Sequence, residues 1–173
     1  GAHRIGRAIA LHLGSLGWTV CIHYKGSSEA AGEVLRTIES GGGHGAIVQG
    51  DLAAMQDVAE IIPRCIAAIG APTCLVNNAS VFADDRIETL DPRLWDEQML
   101  VNLKAPVFLA QSFARHLPAA ARGAIINIVD QRVWRPSPAF FSYGITKSAL
   151  YAATRMLAQG LAPRIRVNGI GPG

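Results

Sequence analysis

Tyr143 and Lys147 lie one helical turn apart in the segment SYGITKSAL, and Asp130 stands thirteen residues before the tyrosine, at the end of the apolar run GAIINIVD. A phenol, an ammonium and a carboxylate gathered at a strand end would make a proton-handling site. The phenol is the acid, the cation biases its ionisation, and the carboxylate accepts N–H or O–H groups. Taken alone, a Tyr-x-x-x-Lys pair is an ordinary neighbourhood on an amphipathic helix and Asp130 an ordinary loop acid. Their meaning depends on the elements that hold them.

Those elements alternate in type. The runs Trp18–Tyr24, Gly45–Asp51, Thr73–Ala79, Ala124–Asp130 and Ile165–Gly171 are short, apolar and rich in β-branched residues, as buried parallel strands are. Helical spacing covers Arg4–Leu16, Ser28–Ser40, Met55–Ala68, Asp91–Leu117 with an irregularity expected at Pro106, and Tyr143–Leu161. Asp91 before Pro92 is a helix start, and Gly41 to Gly43 form a helix stop and turn. Repeated β-α-β order with right-handed crossovers predicts an α/β fold: a doubly wound, Rossmann-like parallel sheet with helices on both faces, in a single domain over residues 1–173. The chain opens inside a glycine-rich turn, GAHRIG, with no strand before it, and stops at GPG as a strand ends. Both edges are expected to be cut. A missing central first strand would expose ladder groups on its neighbours and leave the chain poorly stable.

Composition narrows the function. With 173 residues, 50% hydrophobic and 17% charged, the chain suits one compact α/β domain. The net charge of +3 is mild and the basic residues are scattered, so nucleic acid is not expected as a partner. Cys21, Cys65 and Cys74 lie in or beside apolar segments without CxxC spacing. That predicts no metal site, no disulfide framework and a reducing compartment. No apolar run reaches the roughly 18 residues that span a bilayer, and no charged-then-apolar leader opens the chain, so a cytoplasmic protein without a membrane partner is expected.

The opening turn suits a nucleotide. Gly1, Arg4, Ile5 and Gly6 lead into a helix N-terminus, where backbone N–H groups can face a pyrophosphate. NAD-binding domains place an acid about 20 residues further on to accept from the ribose hydroxyls. Here that strand ends in Tyr24, Lys25, Gly26, Ser27 and Ser28, with no acid until Glu29. Lys25, Ser27 and Arg4 are instead suited to a 2′-phosphate, which favours NADP(H); Lys25 can also be read as a solvated loop lysine. Asp51 with Leu52 can flank an adenine, or Asp51 can cap the helix that follows. Asn77 and Asn78 on an apolar strand need satisfied amides. They can lock their loop while Ala79 and Ser80 leave room for ribose and nicotinamide. Ligands of such folds collect at the carboxyl ends of the strands, where Gly1 to Gly6, Lys25, Asp51, Asn78, Asp130, Pro172 and Gly173 would lie.

These motifs in this order, GAHRIG, NNAS, Asn102 in VNLKAP, Tyr143-x-x-x-Lys147 and RVNGIGPG, resemble the short-chain dehydrogenase/reductases over essentially the whole chain. Within that family the chain is most similar to pteridine reductases. The resemblance implies a further strand before Gly1 and a substrate loop beyond Gly173. It makes Arg4 the replacement for a middle glycine, and His23 to Ser27 the phosphate-binding cluster, although Gly26 stands where an arginine is common. Phe82, with Ser80 beside it, would stack a pterin against nicotinamide. Asp130 takes the place of the family's catalytic serine. Lys147 would bind the nicotinamide ribose, and Asn102 would hold a water relaying protons to it. Family members form homotetramers through the helices matching Asp91–Leu117 and Tyr143–Leu161.

The aspartate has a chemical meaning. Ketone reduction builds negative charge on oxygen and calls for donors, which a carboxylate opposes. Reduction of a ring C=N requires a proton on nitrogen, and a pterin offers N–H groups that Asp130 can accept. The expected reaction is hydride transfer to a ring carbon while Tyr143, aided by Asp130, protonates the neighbouring nitrogen. A Lys147 cation at about 4 Å in an effective dielectric near 20 would contribute roughly 4 kcal/mol, lowering the phenol by about three units from near 10. A carbonyl or 3-oxoacyl reductase and a non-catalytic nucleotide-binding fragment are the alternatives.

Overall fold

The computed structural model describes residues 2–172. Gly1 and Gly173, both expected at the nucleotide, lie outside the described residues. The chain divides into two compact units, Gly1–Pro72 and Thr73–Gly173.

The first unit runs α1 (Arg4–Ser15), β1 (Val20–Tyr24), α2 (Ser28–Ser40), β2 (Gly45–Gln49) and α3 (Met55–Ile69). β1 and β2 pair in parallel, Val20 opposite Gly45 and Tyr24 opposite Gln49. The residue at 45 must be glycine, because a Cβ there would meet the Val20 carbonyl oxygen at 2.5 Å. α2 ends at the expected triple glycine, where Gly42 takes φ +81°, a conformation that glycine adopts without steric cost. Ala10 on α1, Ile22 on β1, and Ala31, Val34 and Ile38 on α2 form the buried cluster.

The second unit runs β3 (Cys74–Asn77), a 3₁₀ turn (Ile87–Thr89), α4 (Pro92–Met99), a π-helical turn (Leu100–Lys104), α5 (Ala105–His116), β4 (Gly123–Ile128), a second 3₁₀ turn (Gln131–Val133), α6 (Phe141–Leu161) and β5 (Ile165–Ile170). Its sheet has the order β3-β4-β5, all parallel, with Asn77 opposite Asn127 and Asn127 opposite Gly169. Phe113, Ile125, Leu150 and Ile165 are fully buried.

The helix expected over Asp91–Leu117 is two α-helices joined by the π turn. Pro106 has no N–H for the Asn102 carbonyl four residues back, and its ring crowds that carbonyl. The ladder widens just before it, so that the Ala105 N–H reaches the Leu100 carbonyl. α4 starts where Asp91 and Pro92 predict, with the Asp91 side chain accepting from the Arg93 N–H at 2.9 Å. The strands are shorter than their apolar runs: Gly50 and Val129 each make a last bond to the neighbouring strand, to the Tyr24 and Ile170 carbonyls, and Asp51, Asn78, Ala79 and Asp130 lie in the loops that follow. Among the described residues, no helix is long and apolar enough to cross a membrane, and no group of three or more His, Cys, Asp or Glu is placed to hold a metal ion.

Candidate active site

The chemistry gathers at the N-terminus of α6. Phe140, immediately before the helix, adopts a left-handed φ of 55°, and its N–H donates to Asp84 Oδ1 at 3.1 Å. The next two residues are held by Asp85: its carbonyl accepts from the Phe141 N–H at 3.1 Å, its Oδ1 from the Ser142 N–H at 3.0 Å, and its Oδ2 from the Ser142 hydroxyl. Asp85 is 5% exposed. Its buried charge is offset by hydrogen bonds and by the positive end of the helix.

One turn into α6, Tyr143 and Lys147 point toward the end of β4. The Tyr143 hydroxyl donates to Asp130 Oδ2 at 2.9 Å, and the Lys147 ammonium donates to the Ile128 carbonyl at 2.8 Å. Asp130 Oδ1 accepts from the Arg132 N–H at 2.9 Å, and Arg132 Nη1 reaches both carboxylate oxygens at 3.3 and 3.4 Å. The three residues read as a proton-handling group are therefore brought together within the second unit.

Their electrostatics differ from expectation. The Tyr143 phenol is pushed up from its ordinary value rather than down. Burial is the first cause, followed by its hydrogen bond to Asp130 and that carboxylate's charge, with Arg132 opposing. The lowering expected from Lys147 fails because burial disfavours the phenolate and the hydroxyl's partner is the Asp130 carboxylate, while the ammonium lies 5.5 Å from the ring centroid. Lys147 is itself lowered to about 8, mainly by burial, with the Asp130 charge resisting. The phenol thus holds its proton and presents it to a carboxylate.

Asn102 sits in the π turn, wholly buried. Its Oδ1 accepts from the Ser80 hydroxyl at 3.0 Å and the Val81 N–H at 2.8 Å. Its Nδ2 donates to the Val81 carbonyl at 2.9 Å and to Thr146 Oγ1 at 3.2 Å. All four bonding positions of the amide are filled, which ties the loop after β3 to α6. Asn77 is satisfied through Asn127 (2.8 Å), and Asn127 in turn through Thr154 (2.9 Å), a buried polar line from β3 through β4 to α6. Asn78 and Ala79 are half-buried just past β3, and Ser80 is exposed. Phe82 lies flat on Phe140, centroids 4.3 Å apart and planes within 5°, with its ring edge-on to Tyr143 at 4.7 Å. Pro172 is half-buried just beyond β5.

In the first unit, Arg4 opens α1 with φ +47°, a left-handed conformation suited to glycine. Ile5 is exposed and Gly6 buried. Tyr24, at the end of β1, is packed against the buried cluster. Lys25 Nζ lies 2.9 Å from Asp51 Oδ2. Asp51 Oδ1 accepts from the Ala53 N–H at 2.9 Å. That bond, and then Lys25, holds the Asp51 carboxyl below the usual carboxylate range. Ser27 precedes α2 without a side-chain cap bond, and Leu52 is buried.

Asp84, Asp85, Arg132 and Phe140 are absent from the sequence-based set. Asn127 is absent too, although an asparagine inside the apolar run AIINIV is a readable sign of a buried hydrogen-bonded amide.

The model of the short chain dehydrogenase family matches residues 1–173. The 3-oxoacyl-[acyl-carrier-protein] reductase FabG of Staphylococcus epidermidis is 32% identical over 175 aligned positions, covering 100% of this chain and 72% of the relative. Among solved structures, FolM alternative dihydrofolate reductase 1 from Brucella canis, complexed with NADP, is 46% identical with a TM-score of 0.95, covering 99% of this chain and 70% of that one. The angucycline C-6 ketoreductase LanV with bound NADP is 35% identical with a TM-score of 0.92, covering 99% and 69%. A tyrosine and lysine one turn apart at the end of a parallel strand, matched by a family model from the first residue to the last, make this chain a member of the short chain dehydrogenase family.

Proposed function

We propose that the protein is an NADP(H)-dependent oxidoreductase that reduces a ring C=N bond of a pterin or dihydrofolate. The observation that carries this is the Tyr143 hydroxyl donating to Asp130 at 2.9 Å. A carboxylate opposes the developing alkoxide of a ketone but accepts the N–H groups of a nitrogen heterocycle. The 46% identity to FolM favours the same substrate class, and the NADP held by both FolM and LanV favours the cofactor.

The residues fit that cofactor. The end of β1 carries Lys25 and no acid before Glu29, and Lys25 would turn from Asp51, 2.9 Å away, to meet a 2′-phosphate. Arg4, Ile5 and Gly6 at the start of α1 suit a pyrophosphate. Bound NADPH supplies the hydride. Lys147, anchored by one N–H on Ile128, directs its others to the nicotinamide ribose. Asp130 orients the heterocycle by its N–H groups. Tyr143, kept protonated by burial, delivers the proton to the ring nitrogen. With its side-chain amide fully engaged, Asn102 would hold a relay water at its main-chain carbonyl. Assembly as a homotetramer through α4, α5 and α6 accompanies this reading, with exposed Phe108 on α5 and Met156 on α6.

Purified protein with NADPH, offered dihydrobiopterin, dihydrofolate, a 3-oxoacyl thioester and a panel of ketones, tests the proposal. Oxidation of NADPH by the pterin or dihydrofolate is expected, and Tyr143→Phe should abolish it while NADPH binding persists. Turnover of ketones alone moves the protein to the carbonyl reductases, and binding of NADPH with no turnover makes it a nucleotide-binding protein.

A further inference from the structure

Arg132 is, with Lys147, a cation of this site, and one of its donors is unfulfilled. Its main-chain N–H and Nη1 both hold Asp130, which Tyr143 also meets. Its guanidinium carbon lies 5.0 Å from the Phe140 ring centroid, 5.6 Å from that of Phe82 and 6.0 Å from that of Tyr143. The guanidinium thus stands between the Asp130 carboxylate and a group of three aromatic rings. Its Nε is buried and, among the described residues, has no acceptor. Leaving such a donor unmatched is costly, the more so for a charged group.

An acceptor is therefore wanted beside Asp130. A carboxylate that accepts and a guanidinium N–H that donates, side by side, complement one edge of a cyclic amide or amidine, in which an N–H adjoins a C=O or ring nitrogen. A simple ketone offers an acceptor and no N–H. A site that leaves buried polar groups unpaired when the wrong molecule enters discriminates strongly against that molecule.

We propose that Arg132 is a specificity-determining residue: its Nε–H donates to a carbonyl oxygen of the bound heterocycle, whose adjacent N–H is accepted by Asp130. This rests on the assignment of a nitrogen heterocycle as substrate and adds which residue reads it. The distinction from mere charge neutralisation is chemical. Arg132→Lys keeps the positive charge near Asp130 but removes Nε–H and the planar fork.

The experiment measures binding of biopterin to the protein with NADP⁺, by fluorescence quenching, for wild type and Arg132→Lys. Quinoxaline serves as a flat bicycle that lacks both N–H and C=O. Arg132→Lys is expected to weaken biopterin binding by about tenfold or more, to raise KM for dihydrobiopterin more than it lowers kcat, and to leave quinoxaline binding unchanged. Unchanged NADPH affinity and unfolding temperature certify the fold of the variant. Equal weakening for both bicycles, or biopterin bound as tightly as by wild type, overturns the inference. A wild type that binds biopterin but reduces no pterin overturns the reductase reading alone, with Arg132 supported if its lysine variant still loses biopterin. A wild type that binds no pteridine overturns both.

Discussion

Lys147 is the residue where chemistry and stability pull apart. It is 3% exposed, its ammonium donates to the Ile128 carbonyl, and burial lowers it to about 8 from 10.5. Between those values the unfolded chain holds a proton that the folded chain does not, so stability rises with pH from about 8 to 10.5; below 8 the full burial penalty applies. Lys147→Met is accordingly expected to be inactive yet to melt a few degrees higher at pH 7, with the gain vanishing toward pH 10, as thermal scans across that range would show. Gln98 tells a similar story without function: it is wholly buried on α4, and neither amide atom finds a partner among the described residues. Gln98→Leu should stabilise by about 1–3 kcal/mol, and a lower melting temperature for that variant would show that a hidden partner exists. Tyr143, Lys147 and Asp130 were legible in sequence because few residue types can carry a proton, and their spacing is set by one strand and one helix. Arg132 and Phe140 were not, since the loop from 131 to 140 has no periodicity to anchor a reading. The direction of the Tyr143 shift was missed for another reason: spacing reveals which charges are near, but not which is nearest or how much water remains.

At the scale of elements, the start of α6 is the critical joint. Sequence spacing begins this helix at Tyr143, whereas it begins at Phe141, because the capping groups come from Asp84 and Asp85, more than fifty residues earlier. Local pattern cannot reveal a cap supplied at that distance. Asp85→Ala should cost about 2 kcal/mol, since it leaves the Ser142 N–H and hydroxyl without their buried partner, and Asp85→Asn should recover part of that loss. If Asp85→Ala unfolds at the same urea concentration as wild type, the cap contributes nothing. The bend before α5 was legible from Pro106 alone, but its form was not. A π turn follows from how the ladder relaxes around the missing donor, and that same turn carries Asn102 into its clamp.

For the molecule as a whole, the alternation of apolar runs and helical periods was enough to read a parallel α/β fold, because strands buried on both faces leave a continuous apolar signature. The extent of each strand was overread by a residue or two, since Gly50, Val129 and their neighbours remain apolar or small after the ladder ends. Coenzyme binding should register globally. NADPH at about 100 times its Kd should add roughly 2.7 kcal/mol and raise Tm by about 5–10 °C, with NADH at equal concentration giving a smaller shift; an equal or larger shift with NADH would remove Lys25 and Arg4 from the 2′-phosphate. The parallel pairing has one more consequence. Val20 meets Gly45, Cys74 meets Ala124 and Gly123 meets Ile165, partners 25, 50 and 42 positions apart along the chain. Among the described residues no hairpin is available as a nucleus, so long segments must be closed before these strands gain a neighbour. Refolding is therefore expected on the millisecond-to-second scale, with helices appearing first and sticky, unmated strands persisting meanwhile, so that yield from dilution out of urea should fall as protein concentration rises.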